Sequence, residues 1–513
     1  MSQTVDPKER ALAFLKTNAL LIAVCVAAAL PLFLVRYPPL QDFPVHVATI
    51  RVLHDFHDPT FAFDQDFDIT LGRTQYAGFY GFGHLLAFAF GPRGAALALL
   101  VFYLVGTILA LRSLLIALGR DERLCFAVVP VLYGATFAIG LMPFLCAFPV
   151  TLAGVAALVR CNVEATPRRQ AIVGGIALGL FFIHVVHLAI FFLAAFLFFP
   201  WRGQRRAQIS AVVSFLPAGG ALLWWLTSTN VGRRVLELGK EYGTTNRPRL
   251  DGALLDVVPW TSDAYPDMTD EITFGVLLVA LAITVVLAHR TKSDGTFAVR
   301  FYWVLPLVLF VLYLTGERAR GWIWPLGQRY MLPAFIFAIP LVAMPKPDKQ
   351  RRIATTALAF AAFATITNVT MHFVRFQSEV GDFPQALAQI EPRKRVASLI
   401  YKSHARTSRF SPFLHFGSYV QAEKGGVVNF TFAGYDQWPF DFKRGHYPIY
   451  DGPATPRWDF FPAYTAETQP LAAYFDYVIT RDRGRAPEPE GFKRKWRGDR
   501  WEIFERASSD RAP

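Results

Sequence analysis

Charge is scarce in this chain. Of 513 residues only 18% are Asp, Glu, Lys or Arg, while 53% are hydrophobic. A soluble protein carries about 25% charged residues, so an ordinary soluble enzyme is excluded. Cysteine is scarcer still. Cys25, Cys125, Cys146 and Cys161 all lie in or beside apolar segments. No CxxC pair occurs, so the cysteines build neither a zinc site nor a disulfide framework. Internal repeats and low-complexity tracts are also missing. The net charge of +13 comes without an RNA- or DNA-binding motif, which argues against a nucleic-acid partner. Much of the excess sits in short loops such as "WRGQRR" (201–206) and "KPDKQRR" (346–352). That is the pattern of cytoplasmic loops between membrane spans.

Apolar sequence is plentiful. Windows of roughly 17–25 residues without a charge, each able to cross about 30 Å of hydrocarbon as a helix, recur through the first three quarters. Candidate spans are 18–35, 75–90, 95–117, 124–140, 142–160, 171–200, 207–228, 272–289, 300–316, 329–345 and 353–373. The expected fold is mainly α: a polytopic helical membrane protein of about eleven transmembrane helices. "CVAAALP" in the first segment resembles a signal-peptidase site, but the segment is long and much membrane follows, so it reads as an uncleaved helix.

Polar regions 36–74, 229–271 and 374–513 interrupt the spans. Basic loops place the N-terminus in the cytoplasm and these polar regions, with 317–328, on the outer face. Two arrangements satisfy this. In one, 75–90 spans and 171–200 is a single long helix. In the other, 75–90 lies along the surface and 171–200 folds as two short helices turning near His184. Both leave the C-terminus outside. Residues 1–373 then form a transmembrane domain, and 374–513 an extracytoplasmic α/β domain. "DYVITRD" (476–482) and "WEIFER" (501–506) read as strands, as do parts of 396–404 and 425–434. "FGSYVQAEKGG" (416–426) reads as a helix stopped by glycine.

The first external loop holds unusual residues for its setting. Asp42 follows a Pro-Pro turn just beyond the first helix, near the membrane surface. A carboxylate there can act as general base on a hydroxyl acceptor, or it can cap the helix that follows. "PVHVATIRVLHDF" reads as a short amphipathic helix with His46, Ile50, Leu53 and His54 on one face. His46 and Arg51 would support the base. Asp64, Asp66 and Asp68, at spacing two, would share one face of an extended strand and could gather a divalent cation. The EF-hand pattern fails, with Ile69 at the sixth position and Gln75 at the twelfth. The sequence itself demands no cofactor and leaves room for a divalent cation.

Other candidates are membrane histidines and external arginines. His184 and His187, at i and i+3, share a helix face inside an apolar run, where polar groups usually face an internal cavity. A third zinc ligand is not visible. Arg318, Arg320 and Arg329 lie near the outer surface, against the positive-inside tendency. Their guanidinium groups suit a lipid-linked phosphate or pyrophosphate, held in bidentate fashion. Trp322 and Trp324 suit an aromatic belt or a sugar-stacking surface. Arg73 and His84 can reach the same cavity. Arg233 and Arg234 are weaker candidates.

About eleven helices, an early acidic residue in the first external loop and a C-terminal external domain together resemble the GT-C glycosyltransferases. "PLQDFPVHVATIRVL" (39–53) looks like a D-F-P-x-H signature in bacterial membrane proteins of that type. The resemblance implies an integral enzyme of the bacterial inner membrane with a periplasmic C-terminal domain. It implies transfer of a sugar from a polyprenyl-phosphate donor to a glycan, lipid or protein acceptor on the outer face, with inversion at the anomeric carbon. Asp42 maps onto the family's first-loop base. Many members carry two adjacent acids there; here Phe43 follows, so a second acid would come from Asp55 or the Asp64–Asp68 group. The rival reading is a transporter or flippase, but matching halves with broken helices are not seen.

Overall fold

The computed structural model describes residues 7–201, 205–233, 237, 250–292, 301–319, 324–434, 437–448 and 461–507. Arg320, Trp322 and Arg234 fall outside them. The described chain is mostly helical. Five of its helices are long and apolar enough to cross a membrane: Ala77–Ala117, Met142–Val163, Gln208–Ser228, Thr269–Arg290 and Asp348–Val380. Shorter apolar helices are Asn18–Phe33, Val185–Leu197 and Val304–Thr315. Many residues pointing away from neighbouring helices are large and apolar, among them Phe82, Leu85, Phe88, Leu216 and Val279. Such an exposed surface suits lipid, not water.

Two expected spans look different in three dimensions. The 124–140 segment is not one helix. It is a 3-10 turn at Glu122–Val128 followed by the short pieces Val129–Leu132 and Ala135–Ile139. Pro130 lacks a backbone donor, and Gly134 sits where a Cβ would collide with the Thr261 carbonyl carbon and oxygen. The 171–200 segment is two helices, Pro167–Ile183 and Val185–Leu197, broken at His184, whose backbone is extended. Asn162 Nδ2 donates to the Phe198 carbonyl at 2.8 Å, so the second helix returns to the end from which the first departs. The segments 75–90 and 95–117 belong to the kinked helix Ala77–Ala117. Gly91 interrupts it with φ +68, and Pro92 follows, a glycine–proline pair that ends one helix and starts the next.

The C-terminal region contains a five-stranded sheet of order β3-β2-β5-β7-β6. Its strands are β2 (Arg395–Ile400), β3 (Val427–Val428), β5 (Tyr477–Arg481), β6 (Phe492–Arg497) and β7 (Trp501–Arg506). β3, β2 and β5 run parallel; β7 and β6 complete the edge antiparallel. The helix Ser418–Lys424 ends at Gly425, φ +76, as its glycine stop foretells. A second, two-stranded sheet pairs β1 (Phe67–Ile69) with β4 (Phe440–Phe442). β1 belongs to the loop 36–74, so that loop and the C-terminal region share a ladder. Gln377 Nε2 donating to the Tyr37 carbonyl at 2.8 Å adds a further tie.

Candidate active site

Phe43–His54 forms the helix expected after Asp42, with Pro44 in its first turn. It is not the surface amphipathic helix its face pattern suggests. Ten of its twelve residues are buried, because the kinked helix covers one side and Ser418–Lys424 of the C-terminal region covers the other. Arg51 Nε donates to the Ala422 carbonyl at 2.9 Å, and Trp438 Nε1 donates to Thr49 Oγ1 at 3.0 Å.

Asp42 occupies the N-cap position, yet its side chain makes no capping hydrogen bond. The carboxylate is thus not spent on the helix. Its backbone N–H donates to the Ile139 carbonyl at 2.9 Å, and that of Gln41 donates to Ala138 at 3.1 Å. Gly140 permits this approach. Its φ is +83, and a Cβ there would lie 3.1 Å from the Asp42 nitrogen and 3.2 Å from that of Phe43. Asp42 Oδ1 accepts from Gln41 Nε2 at 3.3 Å and faces His415 Nε2 at 3.4 Å. Asp42 is 9% exposed.

His46 lies one turn further on, fully enclosed. Its Nδ1 is 2.9 Å from the Tyr80 hydroxyl, and its ring lies against Phe79 and Trp438. Burial holds its pKa down to about 4, against the opposing pull of the Asp42 charge and the Gly140 backbone. It is therefore a neutral ring at ordinary pH.

Arg329 lies in the 3-10 turn Gly327–Tyr330. Its NH1 is 3.3 Å from His184 Nε2, and its guanidinium lies 5.8 Å from the centre of the Phe144 ring. Tyr76, Asp42 and Tyr330 lie near enough for their charges to bear on it. Among the described residues no carboxylate forms an ion pair with Arg329, and its Nε is buried without a partner. His184 Nδ1 accepts from the Val186 N–H at 3.3 Å, which puts the neutral ring's proton on Nε2. A donor N–H then faces a guanidinium that also only donates. An anion beside them would satisfy both. His187, with Nδ1 2.8 Å from Thr151 Oγ1, has its Nε2 buried without a partner.

No family model and no curated protein matches the chain by sequence. Solved structures do match by shape. ArnT from Cupriavidus metallidurans bound to undecaprenyl phosphate is similar at a TM-score of 0.55 and 10% identity, covering 96% of this chain and 98% of that one. The apo structure of the same protein gives 0.54 with the same coverage. ArnT is a GT-C glycosyltransferase. This chain has the GT-C fold.

Within that fold the predicted residues divide. Asp42 and His46 lie at the start of Phe43–His54, Arg329 and His187 lie at the break at His184, and the Asp42 charge reaches Arg329. The others do not join them. Arg51 pairs with Asp55 at 2.5 Å and lies over Phe61. Arg73 pairs with Asp441 at 3.3 Å. Arg318 pairs with Asp256 at 3.4 Å and lies over Tyr313. His84 packs against His54 and Phe88.

The strand face expected for Asp64, Asp66 and Asp68 is not formed, because Phe63–Asp66 is a helical turn and only Phe67–Ile69 is extended. Asp66 Oδ1 is taken by Arg395 and His446, both at 3.1 Å, and Asp64 faces His57 at 3.6 Å. Among the described residues the acids that do converge are Asp263, Asp270 and Glu271, within 4.8 Å. Asp270 there binds the Tyr265 N–H at 2.9 Å and that of Ala264, and Asp263 pairs with Arg409. Sequence reasoning missed His415, Tyr80 and Trp438. They lie far along the chain or within a span, and only the tertiary fold brings His415 to Asp42 and Tyr80 and Trp438 to His46.

Proposed function

We propose that this protein is an inverting glycosyltransferase that moves a sugar from a polyprenyl-phosphate donor to an acceptor hydroxyl at the outer membrane face. The observation that carries this reading is a carboxylate free of capping duty whose charge reaches a partly buried guanidinium that no carboxylate among the described residues pairs with, in a GT-C fold. ArnT, its structural neighbour, binds undecaprenyl phosphate, a ligand with the apolar tail and anionic head that such a site needs.

The chemistry follows from the groups present. Asp42 accepts the acceptor's hydroxyl proton as its oxygen attacks the anomeric carbon. The bond from that carbon to the phosphate oxygen breaks on the opposite face, which inverts the configuration. The polyprenyl phosphate leaves with the electron pair, and Arg329 with His184 Nε2–H holds the growing negative charge. Asp42 then returns its proton to water. Neutral His46 packs behind Asp42 and adds no competing positive charge.

We place the prenyl tail in the apolar cavity of about 690 Å³ lined by Leu158, Phe192, Phe196, Phe215 and Leu223. Its lining also includes Cys161, Asn162, Gln170 and Phe198, so it lies toward the end of the 167–197 hairpin opposite His184, and the tail would run through the membrane depth from a head held at Arg329.

The test is direct. The protein in liposomes is given a panel of radiolabelled undecaprenyl-phosphate sugars with membrane-extract acceptors. Consumption of one donor, release of undecaprenyl phosphate and an inverted anomeric signal in the product are expected. Folded protein that consumes no donor in the panel would falsify the reading.

A further inference from the structure

The C-terminal region does more than cover the first external loop; it reaches the carboxylate itself. His415 lies in "SPFLHFGSYV" (411–420), 373 residues beyond Asp42, and is 5% exposed. Its Nε2 faces Asp42 Oδ1 at 3.4 Å. Its ring stacks on Phe430 with centroids 4.7 Å apart and planes 10° apart, and Phe432 meets its edge. The ring is therefore gripped before it meets the carboxylate. Its Nδ1 is buried, so only the Nε2 side reaches Asp42. Three residues on, Ser418–Lys424 packs against Phe43–His54 through Arg51 and the Ala422 carbonyl. Delivery of His415 and docking of the region are one event.

We propose that His415 is a positioning residue for Asp42. It holds Oδ1 together with Gln41 and leaves Oδ2, which no described protein group hydrogen-bonds, aimed at the acceptor hydroxyl. His415 is not itself the base, because the nitrogen that would have to reach substrate is buried inside the C-terminal region. The site is then complete only when that region is docked, and a membrane part with an undocked C-terminal region would bind donor without transferring from it. This rests on the assignment of Asp42 as base, but the pairing can be tested apart from activity.

The experiment uses full-length protein in lipid nanodiscs with ¹³C/¹⁵N-labelled histidine. The His415 ring signal is assigned from its loss in His415→Gln and titrated in wild type and in Asp42→Asn. Among the described residues the charged groups facing this ring include Asp42 and, across the shared carboxylate, His46 when protonated. Loss of the Asp42 charge should lower the His415 midpoint by about one pH unit or more. An unmoved midpoint overturns the proposal whatever the activity.

Transfer is measured in parallel with the donor that wild type uses. His415→Leu should lower kcat by about tenfold or more with little change in donor KM, and His415→Gln, whose amide can donate from a similar position, should restore most of the loss. Equal loss in both variants, or a change confined to KM, overturns the positioning role even if the midpoint moves. If wild type transfers no sugar, the functional reading falls and the titration alone decides whether Asp42 and His415 are paired.

Discussion

Asp42 combines a role that could be read in the sequence with a neighbourhood that could not. Its place after Pro38-Pro39 and before Phe43-Pro44 marks it as either cap or base, and sequence cannot choose between them. The side chain's freedom from the helix favours the base, and the surroundings that hold it include Gly140 and His415, residues without a local signal. Arg329 was legible as an arginine running against the charge rule, but so was Arg318, which the fold pairs with Asp256, and Arg73, expected to reach the same cavity, pairs with Asp441.

Two predictions belong at the residue scale. Arg329→Ala should raise donor KM by about 10- to 100-fold, as expected for loss of a charge-assisted phosphate contact, whereas Arg318→Ala should change it little; steady-state kinetics distinguish them. His46 stays neutral down to about pH 4 when folded, while the unfolded chain's imidazole protonates near pH 6.5. Its effect on stability is nil well above pH 6.5. Below that the unfolded state binds the extra proton, so stability falls as pH drops toward 4, by roughly 3 kcal/mol in all. Thermal melting of wild type and His46→Gln across that range should show a steeper acid loss in wild type.

Elements explain why some spans were legible and others were not. Met142–Val163, Thr269–Arg290 and Asp348–Val380 are long apolar helices, visible from length and hydropathy alone. The 124–140 segment has the same hydropathy but contains Pro130, Gly134 and Gly140, and it folds as turns that support Asp42. Hydropathy reports burial, and here the burial is in protein. A turn at His184 was one of the two arrangements of 171–200 that the sequence left open; its extended backbone and the Asn162–Phe198 bond make that hairpin. At this scale Gly140→Ala is informative. It must adopt φ +83 and press on the Asp42 and Phe43 nitrogens, so it should cost about 1–2 kcal/mol and displace the carboxylate. Transfer should fall more steeply than melting temperature, and a variant with normal transfer would show that the carboxylate tolerates movement.

The whole molecule is tied together more closely than a transmembrane part with an appended domain. The C-terminal strands at 476–482 and 501–506 were recognisable from their residues, but nothing in the sequence announces that β1 of the first loop pairs with β4, or that Trp438 bonds Thr49. Long-range pairing leaves no local periodicity to read. If the docked arrangement is the working one, locking it should be harmless. Asp68→Cys with Asp441→Cys, which are paired in register across β1 and β4, should cross-link under oxidation and keep most of the transfer rate, as gel mobility and a rate assay on one sample would show. Reversible loss of transfer on cross-linking would mean that the region must swing away in each cycle.

The central claim is that Asp42 is the base, and the most direct test is the transfer rate of Asp42→Asn with the donor that wild type uses. The substitution keeps the shape and the Oδ1 acceptor while removing the charge. The predicted result is a fall in kcat by a factor of about 10² to 10⁴, with expression, melting temperature and undecaprenyl-phosphate binding unchanged. Transfer at the wild-type rate would contradict the account and remove Asp42 from the mechanism.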